Sequence, residues 1–180
     1  MTRLSFVSIA LASTCLLNAA ATGNRRVTAN NKQSPPAETV MTLGSQTFTI
    51  EYNAPSARGR KVEGGLVPYG SIWRLGADAA TTLTSTADLM IGNLRVPKGV
   101  HTLYILASED GWKLILNKQT GQWGLTYSEA QDLGRVDMKL SKLGAPIETL
   151  KIELNASGAS NGTLDIEWGS TKASVPVKLP

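Results

Sequence analysis

Apolar and polar residues alternate along many short segments of the chain from residue 39 onward. In residues 46–53 Phe48, Ile50 and Tyr52 occupy every second position, and successive side chains of a strand point to opposite faces of a sheet. Later segments repeat this pattern: Leu103, Ile105 and Ala107; Trp112, Leu114 and Leu116; Val136, Met138 and Leu140; Leu150, Ile152 and Leu154; Leu164, Ile166 and Trp168; Val175, Val177 and Leu179. The alternation predicts a series of strands, each with one buried face.

Turn-forming residues separate these segments: Leu43-Gly44-Ser45, Ile91-Gly92-Asn93, Pro97-Lys98-Gly99, Glu109-Asp110-Gly111, Gly144-Ala145-Pro146 and Asn161-Gly162. Many closely spaced strands with almost no helical periodicity predict an all-β protein, an antiparallel β-sandwich with jelly-roll-like or barrel-like alternatives. Helix is expected only at residues 128–133, as little more than one turn after Ser128.

The ends of the chain differ in composition. Residues 1–21 combine Arg3, an apolar core and the small residues Ala19, Ala20 and Ala21, a pattern typical of a signal peptide. Residues 22–37 are mostly polar, with three Pro or Gly and little that can be buried, which predicts a disordered linker, and residues 38–180 are long enough for one domain. We therefore expect a periplasmic or secreted protein whose mature form has no transmembrane span. Lipid attachment at Cys15 is the minor alternative.

Composition limits the possible chemistry. The formal net charge is +4 and the basic residues are dispersed, which argues against nucleic-acid binding. One His, at position 101, and one Cys, inside the predicted leader, cannot build a site of several His or Cys ligands. We expect no metal and no cofactor, and we expect His101 to lie at the surface near the start of a strand.

Residues 58–83 do not follow the strand pattern and instead concentrate Arg, Gly, Tyr and Trp. The glycines allow an irregular loop, and its cationic and aromatic residues predict a surface for a small polar or anionic ligand or a cell-envelope component. The candidate ligand-binding residues are Arg58, Arg60, Lys61, Tyr69, Trp73, Arg74 and Asp78. A structural alternative is that Arg74 stacks on an aromatic ring and pairs with Asp78 to fix the loop.

These features favour a binding or structural module of the cell envelope. The alternative is a metal-independent hydrolase that uses carboxylates near the same loop, since a catalytic carboxylate pair leaves no mark in sequence spacing. The candidate carboxylates are Asp78, Asp88, Asp132 and Glu148. Trp73 and Trp123 are candidates for stacking on a sugar, whereas Trp112 and Trp168 fall on the apolar phase of strands and are expected in the core.

Several runs in the chain also resemble a known family. GRKVEGGLVPYG at residues 59–70, WRLGADAAT at residues 73–81, VPKGVHTLYIL at residues 96–106 and WKLILNK at residues 112–118 resemble the DUF2911 family of exported bacterial proteins of unknown function. The resemblance covers roughly residues 34–180 and implies a β-sandwich behind a signal peptide. Two positions depart from the usual family pattern: Asp78-Ala79 stands where Asn-Glu is usual, and His101 stands near a usual Tyr.

Overall fold

The computed structural model describes residues 26–27 and 33–180, and nearly all regular structure in this part of the chain is β-strand. The strands are β1 (Arg26–Val27), β2 (Pro36–Leu43), β3 (Gln46–Asn53), β4 (Ile72–Trp73), β5 (Thr81–Ser85), β6 (Leu89–Ile91), β7 (Leu94–Val96), β8 (Gly99–Ala107), β9 (Trp112–Asn117), β10 (Asp132–Ala156) and β11 (Asn161–Lys178). One 3-10 turn, Glu129–Gln131, precedes β10, and the Ser128 side chain makes no capping hydrogen bond there. The all-β prediction is confirmed.

The strands pair in one antiparallel network. The path runs β1-β2-β3-β5-β8-β9-β10-β11-β6-β7, and β4 pairs with β8 outside this path. Because β1 and β7 end the path without pairing to each other, the sheet is not closed into a barrel. β10 joins the two layers of the sandwich, since its first residues pair with β9 and its later residues pair with β11.

The inner faces of the two layers share one hydrophobic core. Leu150, Ile152 and Leu154 are at most 2% exposed, and the other alternating segments bury the side chains that their periodicity selects except Leu140 and Leu179, which are half-buried. The end of β10 also contacts the first layer through hydrogen bonds. The Ile152 N–H donates to Tyr52 Oη and the Leu154 N–H donates to Thr39 Oγ1, both at 3.1 Å.

Residues 118–131 cover part of the opposite face of the first layer and bury polar side chains that the alternation assigns to water. Thr102 and Asn117 are at most 1% exposed. Thr102 Oγ1 donates to Gln119 O at 2.7 Å, and Asn117 Nδ2 donates to Ser128 O at 2.9 Å. The buried polar groups are therefore satisfied by the covering segment.

Two of the predicted turns lie inside strands. Gly144-Ala145-Pro146 belongs to β10, where the pairing register with β11 shifts between Lys142 and Ile147. Asn161 and Gly162 are the first two residues of β11 and directly follow the bend at residues 158–160. In the first case the extra residues are absorbed as a bulge in a bent strand, so they do not reverse the chain.

The N-terminal predictions have different outcomes. The predicted signal peptide, residues 1–21 with Cys15, lies outside the described residues. The short strand β1 falls within the predicted linker, and β2 begins at Pro36. None of the helical structure in residues 26–27 and 33–180 is long and apolar enough to cross a membrane.

Candidate anion-binding site

Residues 54–80 connect β3 to β5 as a long irregular loop whose path is fixed by backbone contacts. Within it, β4 pairs with β8, with Trp73 opposite Ile105. Isolated bridges also join Ser56 to Thr149, Tyr69 to Ala107 and Ala79 to Trp123. The loop is therefore tied to strands of both layers, and its side chains have defined positions.

The turn at residues 58–60 orients two guanidinium groups. Arg58 has a left-handed backbone, φ 50°, and its N–H donates to Glu148 Oε1 at 2.7 Å. Arg60 donates from Nε to Ala57 O and from Nη2 to Ser56 O, both at 2.9 Å. Arg58 donates from Nη2 to a further carbonyl oxygen, that of residue 33, at 3.1 Å. Neither guanidinium forms an ion pair with any described residue, so both charges are oriented but not neutralised.

Arg74 lies against the backbone of Gly124. A Cβ added at Gly124 would overlap Arg74 Cδ and lie 3.1 Å from its Nε. This Nε is buried and has no hydrogen-bond partner among the described residues. Because protein atoms enclose this Nε, an acceptor in a neighbouring cavity would reach Arg74 through its Nη groups.

The ion pair predicted between Arg74 and Asp78 is not formed. Asp78 is exposed and has a left-handed backbone, φ 58°. Its carbonyl oxygen accepts a hydrogen bond of 3.2 Å from the Gly124 N–H. Arg74 forms no ion pair with any other described residue, which leaves its charge uncompensated.

Stacked indoles lie beside these arginines. Trp73 stacks on Trp168 with ring centroids 5.8 Å apart and an interplanar angle of 20°, and it meets Trp112 edge to face at 6.4 Å. Trp168 Nε1 donates to Glu148 O at 3.0 Å. This bond links β11 to the residue of β10 whose side chain accepts from the Arg58 N–H. Trp112 and Trp168 are core residues, as predicted. Trp73 is also buried, which leaves little of its ring for a sugar.

Arg58, Arg60 and Arg74 line one cavity of about 230 Å³ together with Trp73 and Trp168. No Asp or Glu is among the residues that line it. Guanidinium groups bind carboxylate and phosphate oxygens through paired, charge-assisted hydrogen bonds. A concave site with three such groups and no acidic side chain is suited to an anion.

Four of the seven predicted ligand-binding residues meet at this cavity: Arg58, Arg60, Trp73 and Arg74. The other three, Lys61, Tyr69 and Asp78, do not line it. Tyr69 packs on Gly64, where an added Cβ would lie 3.0 Å from its ring, and its pKa is raised by burial and by Glu109 and Glu63. Trp168 also lines the cavity, which sequence reasoning missed, because the alternation along β11 indicates only that this side chain faces the core.

Residues 34–177 match the family described as "Protein of unknown function (DUF2911)". The chain belongs to the DUF2911 family. No curated protein matches this DUF2911 chain, and no solved structure matches it either. Membership of a family of unknown function does not assign a chemistry to the cavity.

The carboxylates proposed for hydrolysis do not gather at the cavity of this DUF2911 protein. Asp88 accepts from the Lys98 N–H and from Arg95 Nη2, both at 2.9 Å, and these bonds lower its pKa. Asp132 accepts from Tyr127 Oη at 2.8 Å at the start of β10. Asp78 is exposed, and Glu148 contacts the backbone of the loop without lining the cavity. Of these four carboxylates only that of Glu148 bonds to the arginine loop, so the arrangement places no pair of them at the arginines.

His101 lies inside the sandwich, contrary to the expected surface position. It is 6% exposed and pairs with Leu83 across the sheet, while its neighbour Val100 is 47% exposed. His101 Nδ1 has no hydrogen-bond partner among the described residues, and burial lowers the pKa of the imidazole. A neutral core histidine in this position has no access to a substrate at the arginine cavity.

Proposed function

We propose that this DUF2911 protein is a binding module for a small anionic ligand, held by Arg58, Arg60 and Arg74. The observation that carries the proposal is that Arg74 lines the cavity and forms no ion pair within residues 26–27 and 33–180. An anion bound to the Nη groups of Arg74 would balance the charge of the cavity. Of the seven ligand-binding residues predicted from the sequence, the proposal keeps the three arginines as ligand donors, beside the stacked Trp73 and Trp168.

The geometry favours binding over hydrolysis. The lining of the cavity combines fixed cationic donors with aromatic rings and contains no carboxylate to act as a general base or nucleophile. Fixed donors lower the cost of binding, because their side chains lose little freedom when the ligand arrives. Arg58 and Arg60 are already oriented by backbone carbonyl oxygens.

The test is isothermal titration of the purified domain with inorganic phosphate, sulfate and acetate at low ionic strength. Arg74→Gln should weaken binding most, because it removes the unpaired charge and the Nη donors that face the cavity. Arg60→Gln should weaken binding by about ten- to a hundredfold, as expected for one charge-assisted hydrogen bond. The matched control is Arg95→Gln, which removes an equal charge from the exposed Asp88 pair on β7.

The control variant should bind like the wild type, and added sodium chloride should weaken binding by screening. Equal losses in all three variants would mean that only net charge matters, which would contradict a defined site. Absence of binding by every anion would overturn the proposal.

We also propose that the protein is exported, as the composition of residues 1–21 indicates. Intact mass spectrometry of protein from the periplasm or the medium should then give an N-terminus near Thr22. A lipid-modified N-terminus at Cys15 would instead place the protein at a membrane surface.

A further inference from the structure

A second cavity adjoins the arginine cavity and differs from it in character. Its volume is about 430 Å³, and it shares Leu66, Trp73 and Arg74 with the first cavity. Pro68, Ile72 and Leu125 give it an apolar lining. The guanidinium of Arg74 therefore lies where a cationic cavity meets an apolar one.

Large apolar side chains are exposed on the segment that forms one wall of this second cavity. Leu125 is 77% exposed, and Trp123, two residues earlier, is 59% exposed. Together with Val100 they are the large hydrophobic residues that remain exposed among the described residues. Neighbouring exposed apolar residues beside a cavity are a common mark of a binding site, whereas scattered ones are not.

The backbone holds this segment in place. The Gly124 N–H donates to Asp78 O at 3.2 Å, and the Thr126 N–H donates to Trp123 O at 2.8 Å. Tyr104 Oη, from β8, donates to Thr126 O at 2.7 Å. These bonds anchor the backbone on both sides of Leu125 to the rest of the fold.

Building on the proposed anion site, we infer that the ligand is an amphiphilic anion. Its carboxylate or phosphate head binds Arg58, Arg60 and Arg74, and a single apolar chain lies in the second cavity against Ile72 and Leu125. A small inorganic ion would leave the apolar cavity and Leu125 in water. An uncharged apolar ligand would cover Arg74 without compensating its charge, which is costly. Of these ligands, the amphiphilic anion fits both cavities.

The experiment is calorimetric titration with n-alkanoates of increasing length, from acetate to octanoate, at concentrations below micelle formation. Each methylene that enters the apolar cavity should lower Kd by about fourfold, the factor expected for full burial of one CH₂ group. Leu125→Ser should flatten this dependence and leave acetate binding unchanged. Val100→Ser is the matched control, since Val100 is exposed on β8 and lines neither cavity.

Arg74→Gln should weaken the binding of every alkanoate. If Arg74→Gln folds poorly, Arg60→Gln, at an exposed position, is a second variant that removes a donor to the carboxylate head. Acetate or phosphate binding without any chain-length dependence would overturn the amphiphile inference and leave the anion site intact. Affinity that rises with chain length but is insensitive to both arginine variants would also overturn it, because the head group would then have no role. Failure of all alkanoates and of phosphate to bind would refute the anion site itself.

Discussion

Gly124 offers a direct perturbation of the contact that positions Arg74. An added Cβ would overlap Arg74 Cδ and lie 2.5 Å from Asp78 O, which is a backbone atom and cannot rotate away. Gly124→Ala should therefore displace residues 123–125 as well as the arginine. Overpacking of this kind costs about 1–3 kcal/mol, which for a chain of this size corresponds to a fall of about 2–12 °C in melting temperature.

The matched control is Gly111→Ala. Gly111 has no atom within 4 Å of an added Cβ, and its backbone, like that of Gly124, is outside the left-handed region. Because alanine restricts the unfolded chain, the control should be neutral or stabilise by up to about 1 kcal/mol. Thermal and urea unfolding of both variants give the comparison.

The clash with Arg74 can be separated from the clash with Asp78. Arg74→Ala removes Cδ and Nε, so the cost of Gly124→Ala should fall in that background, with a coupling of at least about 0.5 kcal/mol. Part of the cost should persist, because Asp78 O remains in place. If Gly124→Ala melts like Gly111→Ala and binds anions like the wild type, Arg74 is not positioned by this glycine.

Three further predictions concern stability. Burial lowers the pKa of His101 below its ordinary 6.5, so on acidification the unfolded chain takes up a proton that the folded chain resists. The free energy of unfolding should therefore fall as pH drops from about 6.5 toward the folded pKa. Urea unfolding should show a smaller fall for His101→Gln, and the same pH dependence in both proteins would contradict the assignment. Ile152→Ala should cost about 2–5 kcal/mol and the exposed Lys139→Ala under about 0.5 kcal/mol, and comparable losses in urea would refute the alternation. Asp165→Ala should cost about 2–3 kcal/mol in the same assay, because its side chain is 8% exposed and accepts a 3.1 Å hydrogen bond from Lys172; an unchanged midpoint would show that this buried pair contributes no net stability.

The strands could be predicted because a pleated strand with one buried face imposes a period of two. Leu150, Ile152 and Leu154 show this period most clearly, and all three are buried. The same period also places His101 on the inner face, in phase with Leu103 and Ile105. The prediction of a surface position for His101 was wrong because it followed the polar residue type, whereas the alternation of β8 places this position on the buried face.

Features that depend on contacts distant in sequence could not be predicted. Thr102 and Asn117 are buried because residues 118–131 fold over them, and no local pattern reports this covering. Gly144-Ala145-Pro146 has the composition of a turn, yet pairing on both sides carries β10 through it with a register shift. Composition limits the local backbone, whereas the partner strand decides whether the chain reverses.

The candidate site was partly predictable because its arginines lie close together in the sequence. Arg58, Arg60 and Arg74 all belong to the one long segment that lacks alternation, and they share a cavity. The predicted pairing of Arg74 with Asp78 failed for a geometric reason. Residues four apart face each other in a helix, but here Leu75 and Asp78 both have left-handed backbones, so the spacing carries no such meaning.

The most direct measurement of the proposed site is the NMR signal of the Arg74 Nε–H, assigned from its loss in Arg74→Lys. Titration with octanoate and, separately, with phosphate should shift this signal, because an anion on the Nη groups changes the electronic environment of the same guanidinium. The Nε–H signal of Arg95, exposed on β7, should change little under the same conditions. An Arg74 signal that stays unchanged while calorimetry detects binding would contradict a site built on this residue.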